Sequence, residues 1–257
     1  MSAHRGTSPW FHNFRPAPQA PLRLVCLPHA GGSAGFYFPA ACALSPRVEV
    51  LAVQYPGRQD RRREPAVTDL RVLAERIAQA LGPWTDKPYA LFGHSMGAVV
   101  AFEAAHRLQA AGRKPARLFV SGRRAPSLDG AAPSSPPRTD EEIVAEIRRL
   151  NGTGDALLDD EETLRMILPA LRADYDAVRR YRYRPGPLLH CPVTAFTGDH
   201  DPRAGTHEVR AWHTHTASGF DLNVLPGGHF FLADRPEPVL RTLWRHLRRA
   251  AAPAVAS

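Results

Sequence analysis

An α/β protein, with a mostly parallel central sheet flanked by helices, is predicted by three features of the 257-residue chain. Short apolar runs recur at Leu22 to Leu27, Val48 to Val53, Ala90 to Phe92, Arg117 to Ser121, Pro192 to Thr197 and Phe220 to Leu225. Segments with helical spacing separate most of them, and a strand that is followed by a helix and then another strand needs a crossover, hence parallel neighbours. The third feature is Gly93-His94-Ser95-Met96-Gly97, at the junction of one such strand with one such helix.

Taken in order, residues 1–20 read as irregular. The strand at Leu22 to Leu27 runs straight into Pro28-His-Ala-Gly-Gly-Ser-Ala-Gly35, a loop whose glycines let backbone N–H groups approach a ligand closely. No G-K-[ST] follows and the spacing is not G-x-G-x-x-G, which argues against a phosphate cradle. After the Val48 to Val53 strand, Tyr55-Pro-Gly-Arg58 turns the chain. Asp69 to Leu81 is an amphipathic helix with Leu70, Leu73, Ile77 and Leu81 on one face.

The stretch Ala90 to Gly97 is a strand and a sharp elbow, and the pattern Ala98, Val99, Ala101, Phe102, Ala105, Leu108 continues as a helix until Gly112. A serine two residues from a glycine on each side is what such an elbow needs, since larger flanking side chains would meet the neighbouring strand and helix. The three fixed positions alone recur by chance in roughly one chain in ten of this length. Their position between strand and helix makes the match informative.

From Arg123 to Arg138 the chain is rich in Pro, Ser and Ala and reads as loop. Thr139 to Glu142 is a capping box opening a helix through Ile143, Ile147 and Leu150, which Asn151 to Gly154 should end. Asp159, with Glu162 three residues on, starts a second helix toward Tyr183 that Pro169 should break or kink. Some sixty residues of helix and loop thus lie between two strands, an insertion expected to cover one end of the sheet. The sheet resumes at Pro192, a helical region spans Glu208 to His215, and a last helix, Val239 to Ala250, precedes a tail (251–257) expected to fray.

A serine needs a base to become a nucleophile, and the base needs an acid to orient it. On a sheet of this kind all three sit on loops at the carboxyl ends of strands, in the chain order serine, acid, histidine. Ser95 and His229 meet that requirement, His229 following the last strand after Gly227-Gly228. Of the nearby carboxylates, Asp221 begins a strand and so sits at the wrong end. Asp199 adjoins Gly198 and is expected to brace the turn, which leaves Asp201. Backbone N–H groups of Met96 and Ala30 are the expected oxyanion donors. His29 and His94 are read as packing around the elbow. His213 and His215, with no carboxylate or cysteine at ligand spacing, are read as a solvated helix face, and no metal site is expected.

Composition bounds the rest. With 44% hydrophobic and 23% charged residues the chain is ordinary globular material, and no run approaches the length of a membrane-spanning helix. The amino terminus lacks the apolar core of a signal peptide, and Cys26, Cys42 and Cys191 form no pairing motif, so free thiols in a reducing cytoplasm are expected. The net charge of +8 is carried almost wholly by arginine. Those arginines are scattered, apart from Arg61 to Arg63 and Arg179 to Arg184. No helix-turn-helix, zinc-finger or RNA-binding signature accompanies them, so nucleic acid is not an expected partner.

Six motifs in order, Pro28-His-Ala-Gly-Gly, Tyr55-Pro-Gly-Arg58, Gly93-His-Ser-Met-Gly, Leu171-Arg-Ala-Asp174, Gly198-Asp-His-Asp-Pro202 and Gly227-Gly-His-Phe-Phe231, make the chain resemble a type II thioesterase. These are stand-alone editing hydrolases of polyketide synthase and nonribosomal peptide synthetase pathways. The resemblance implies an α/β-hydrolase fold with a helical lid over about residues 123–187. It implies hydrolysis of acyl groups from the phosphopantetheine arm of acyl or peptidyl carrier proteins, with no cofactor beyond the arm the substrate brings. It assigns Ser95, Asp201 and His229 as catalytic residues, with Ala30 and Met96 donating to the oxyanion. A monomer engaging acidic carriers transiently is expected, with Arg179, Arg180 and Arg182 helping to dock them. A general carboxylesterase or lipase on the same fold, and a carrier-binding module without turnover, are the alternatives. A terminal domain fused behind a carrier is disfavoured by the short amino-terminal arm.

Overall fold

The computed structural model describes residues 8–128, 138–150 and 159–251. Seven strands form one sheet: β1 (Phe11–His12), β2 (Arg23–Leu27), β3 (Glu49–Val53), β4 (Tyr89–His94), β5 (Arg117–Ser121), β6 (Val193–Gly198) and β7 (Phe220–Leu225). Their spatial order is β1-β3-β2-β4-β5-β6-β7, with every neighbouring pair parallel except β1 with β3. The helices are α1 (Phe38–Leu44), α2 (Leu70–Leu81), α3 (Met96–Ala110), α4 (Asp140–Leu150), α5 (Glu161–Arg180), α6 (Thr206–Arg210), α7 (Phe231–Asp234) and α8 (Pro236–Ala251).

Alternation along the strands feeds two apolar layers. Val25, Leu27, Leu91, Leu118 and Val120 point to one face, where α2 and α3 cover them. Leu24, Cys26, Phe92, Phe119 and Phe196 point to the other, under residues of α1 and α8. Both faces are covered, so β2, β3, β4 and β6 are buried along their whole length, as parallel strands require. From β2 the chain steps to β3 on one side, then crosses to β4 on the other. The sheet therefore reverses direction between β2 and β4, and a crevice opens at their carboxyl ends.

Local chemistry sets the helix ends. Asp69 caps α2 by accepting from the N–H groups of Arg71 and Val72 at 2.7 and 3.2 Å. The capping box before α4 forms in both directions: Thr139 Oγ1 accepts from Glu142 N–H at 3.3 Å, and Glu142 Oε2 from Thr139 N–H at 2.9 Å. Gly112, at φ +71°, closes α3.

Five expectations need correction. The cap of α5 is Asp160, not Asp159: Asp160 accepts from Thr163 N–H at 2.9 Å and from its hydroxyl, while Asp159 pairs with Arg148. Helix α5 continues through Pro169, because its apolar residues Leu164, Ile167 and Leu171 pack on Ile143 and Ile147 and hold the turn that proline weakens. It stops at Arg180 rather than Tyr183. Phe11–His12 is a short edge strand within a region read as irregular; two residues give too little periodicity to be recognised. His215 is buried against Phe102, Tyr183 and Trp212, with Nε2 3.0 Å from Ser127 Oγ, and not on a solvated face. The helix stop at Asn151 to Gly154, most of the Pro- and Ser-rich loop, and tail residues 252–257 lie outside the described residues. Among the described residues no helix is long and apolar enough to cross a membrane.

Buried histidines give the fold a pH dependence. Burial lowers His215 to about 4 and holds His94 well below the ordinary histidine range. The unfolded chain takes up these protons near pH 6.5 and the folded chain does not, so stability present above that pH is lost as the pH falls. Each histidine should contribute a slope of about 1.4 kcal/mol per pH unit below about pH 6.5, His215 down to its folded value. Urea unfolding midpoints should therefore fall from about pH 7 to about pH 4.5, and less steeply in a His215→Gln variant.

Candidate active site

Ser95 is the single residue between β4 and α3, at φ 53° and ψ −116°. A non-glycine residue held there stores about 1–3 kcal/mol of strain, and close backbone packing on both sides holds it. A Cβ on Gly97 would lie 2.1 Å from the Leu27 carbonyl oxygen, and one on Gly93 would lie 2.1 Å from the Gly97 oxygen. The Ser95 N–H donates to the Ser121 carbonyl at 2.8 Å, tying the elbow to β5. The hydroxyl thus projects from the sheet edge at the crevice between β2 and β4.

The loops after β6 and β7 meet backbone to backbone, since a Cβ on Gly198 would lie 2.3 Å from the Gly227 oxygen. Asp199 braces this contact, accepting the Gly227 N–H at 2.9 Å and pairing with His200 at 2.6 Å. The junction carries Asp201 and His229 toward Ser95. His229 Nδ1 lies 2.9 and 3.0 Å from the two Asp201 carboxylate oxygens, and its Nε2 lies 3.1 Å from Ser95 Oγ. Both partners are buried, at 2% and 8% exposure. A proton on Nδ1 satisfies the carboxylate and leaves the Nε2 lone pair facing the serine. Asp201 Oδ1 also accepts the Arg203 N–H at 2.8 Å, which holds the carboxylate in place. Asp221 pairs with Arg117 at 3.2 Å, toward the other end of the strands.

Ala30 and Met96 line the same cavity as Ser95. The Met96 N–H is the first of α3 and has no intrahelical acceptor. In the glycine-rich loop, the Gly31 N–H is taken by Asp174 at 2.8 Å and the Gly32 N–H by the His29 oxygen at 3.0 Å. The Ala30 N–H is the one those contacts leave for a ligand.

His94 and His29 pack around the elbow. His94 is buried, with Nδ1 3.0 Å from Ser121 Oγ and its ring centroid 5.0 Å from that of His229. Burial, and then the neighbouring His229, keep it neutral. The same two causes, with Arg58, push His29 down to about 3. Gly122 went unnoticed in the sequence, though a Cβ there would come within 2.6 Å of His94 Cε1 and 3.2 Å of His229 Cε1. Its φ of +59° was the hidden reason, and only a turn assignment after β5 could have signalled it.

Above Ser95 lies a cavity of about 450 Å³, roofed by Ile147 and Leu150 of α4 and by Met166, Ile167, Leu171 and Val178 of α5. Its walls are mainly apolar, with Ser95 and His229 at the floor and Thr163 and Tyr175 of α5 adding polar groups above. That is the composition of a site that holds an aliphatic group and reacts with its polar end. Both roofing helices are joined by ion pairs to the loops beneath: Glu146 of α4 to Arg203 at 2.8 Å, and Asp174 of α5 to Arg58 at 2.6 Å.

The family model for the thioesterase domain matches residues 22–247. Thioesterase PikA5 of Streptomyces venezuelae is 49% identical over 245 residues, covering 93% of this chain and 85% of that one. Gramicidin S biosynthesis protein GrsT of Aneurinibacillus migulanus is 36% identical, covering 96% of each. Among solved structures, the type II thioesterase BorB from the borrelidin biosynthetic cluster superposes with a TM-score of 0.87 at 50% identity, over 94% of this chain and 98% of that one. With the sheet order and elbow described above, these matches establish that the chain is a member of the thioesterase family, of the type II kind, on an α/β-hydrolase fold.

Proposed function

We infer that the protein hydrolyses acyl thioesters carried on the phosphopantetheine arm of acyl or peptidyl carrier proteins, clearing stalled or aberrant acyl groups in polyketide or nonribosomal peptide assembly. The observation that carries this reading is the hydrogen-bonded array Ser95–His229–Asp201 at the floor of a mainly apolar cavity that Ala30 and Met96 also line.

In this reading His229 Nε2 accepts the Ser95 proton as Oγ attacks the thioester carbonyl carbon. The N–H groups of Ala30 and Met96 receive the developing oxyanion. The carbon–sulfur bond breaks, and the imidazolium returns its proton to the departing thiolate. A thiolate is a good leaving group, so this protonation matters less than it would for an amide. Water then gives a proton to His229 and attacks the acyl-serine ester, and the imidazolium reprotonates Ser95 as the free acid departs. Asp201 fixes the imidazole tautomer throughout and stabilises its charged form. In this reading every group involved belongs to the chain, the substrate or water, and the reaction calls for no cofactor. The acyl chain rests against the residues of α4 and α5, which serve as a lid.

The carrier is an acidic partner in this reading, and the net charge of +8 suits it. Arg179 is engaged by Asp176 at 3.2 Å. Arg180, Arg182 and Arg184 border a groove of about 410 Å³ shared with Arg71. That groove flanks the carboxyl end of α5, the helix whose Val178 lines the cavity. These arginines form the proposed docking face for a monomeric enzyme that binds its carrier transiently.

Variant kinetics, substrate preference and salt dependence test the reading. With a propionyl-loaded carrier, Asp201→Asn should lower kcat about 10⁴-fold and Ser95→Ala at least as much. The parent should turn over the carrier thioester faster than an oxygen ester of the same acid, and the reverse preference would mark a general esterase. Arg180→Glu with Arg184→Glu should lower kcat/KM on the loaded carrier about 10-fold and flatten its decline with added salt. Turnover of the free pantetheine thioester should change little. Carrier hydrolysis insensitive to salt in the parent would rule out the docking face.

A further inference from the structure

Two of the sequence motifs, Tyr55-Pro-Gly-Arg58 and Leu171-Arg-Ala-Asp174, have no part in the chemistry above, yet they meet on the loop that supplies Ala30. Asp174 Oδ2 accepts from the Gly31 N–H at 2.8 Å and from Arg58 Nη1 at 2.6 Å, and Oδ1 accepts from Arg58 Nη2 at 2.8 Å. Arg58 Nη1 also donates to the Gly32 carbonyl at 3.2 Å. Arg58 and Asp174 side chains are 7% and 2% exposed, so the pair is buried and bidentate. Leu171, one turn before Asp174 on the same face of α5, closes on Gly31 so tightly that a Cβ there would lie 2.3 Å from Leu171 Cδ2. On the other side of Ala30, Tyr55 donates its hydroxyl proton to the Pro28 carbonyl at 3.1 Å. The backbone is thus gripped at residues 28, 31 and 32, and the Ala30 N–H projects from the segment between.

We propose that Asp174, with Arg58 as its counter-ion, is a positioning residue that orients the Ala30 N–H toward the oxyanion, so that α5 sets the catalytic donor as well as roofing the acyl cavity. The pair touches no reacting atom. It acts by holding Gly31 and Gly32, so that the Gly32 N–H, donating to the His29 carbonyl at 3.0 Å, fixes the His29–Ala30 peptide plane that carries the Ala30 N–H. A donor misplaced by a few tenths of an ångström still permits substrate to bind but stabilises the tetrahedral intermediate less. Loss of Asp174 also leaves the Arg58 guanidinium buried without its counter-ion, which drives a local rearrangement of the same loop.

The proposal rests on the thioesterase reading, and the test separates the two. The substrate is a propionyl pantetheine thioester, so carrier docking is not involved. The first probe is the matching trifluoromethyl ketone, which forms a tetrahedral adduct with Ser95. The second is the matching thioether, which occupies the cavity without reacting. If the parent enzyme does not hydrolyse the thioester, the functional reading fails. Given an active parent, Asp174→Ala should lower kcat about 10- to 100-fold, less than the about 100- to 1,000-fold expected when a donor is lost outright. Trifluoromethyl ketone affinity should fall by a similar factor, with KM and thioether affinity within about threefold. Asp174→Asn, which keeps an acceptor for the Gly31 N–H in the same volume, should recover part of kcat and serves if the alanine variant does not fold. Wild-type kcat in Asp174→Ala, or in Asp174→Asn where only that variant folds, would overturn the proposal. So would an equal loss of both affinities together with a lowered thermal midpoint, the result of a purely structural pair.

Discussion

The close approach of the Leu27 carbonyl to the start of α3 governs the arrangement of everything else. With no side chain at Gly97 or Gly93, where a Cβ would lie 2.1 Å from a carbonyl oxygen, β4 can turn into α3 within one residue. That residue has to accept a left-handed backbone, and its side chain projects outward at the sheet's reversal point. The strain is local, while the packing that sustains it is spread over the apolar layers on both faces of the sheet. A loose turn would let Ser95 relax and lose its 3.1 Å contact with His229. Rigidity of the sheet is thus converted into placement of one hydroxyl.

Much of this was legible in the sequence because it depends on short-range rules. Six of the seven strands, the elbow, the capping box before α4 and the amphipathic face of α2 all follow from period, caps and glycine spacing. The juxtaposition of Ser95, Asp201 and His229 follows from chain order on a parallel sheet, and Asp199 could be set aside by its position next to Gly198. What could not be read is what tertiary packing decides. Helix α5 survives Pro169 because its apolar face is already buried against α4. His215 leaves the surface because Phe102, Tyr183 and Trp212 surround it. The two-residue β1 exists only because β3 offers it an edge. The choice of Asp160 over Asp159 as cap turns on a one-residue register that four successive acids cannot specify.

The insertion between β5 and β6 is more than a cover. Its two described helices each reach down with a carboxylate, one to the loop bearing Asp201 through Arg203 and the other to the loop bearing Ala30 through Arg58. Apolar contacts from the same helices shape the cavity. The shape of the cavity and the alignment of the polar groups are therefore served by the same secondary structure elements. A change in how α4 or α5 sits would be felt at both levels, which ties the shape of the cavity to the geometry of its floor.

Gly122 carries the last consequence. Beside its positive φ, what matters is the space it leaves, which receives the edges of two imidazole rings. A methyl group there would crowd His229 while every polar atom of the array kept its identity. Tolerance to change around this centre is set by volume as strictly as by functional group, and the residue with no side chain defines how far the His229 ring can stray.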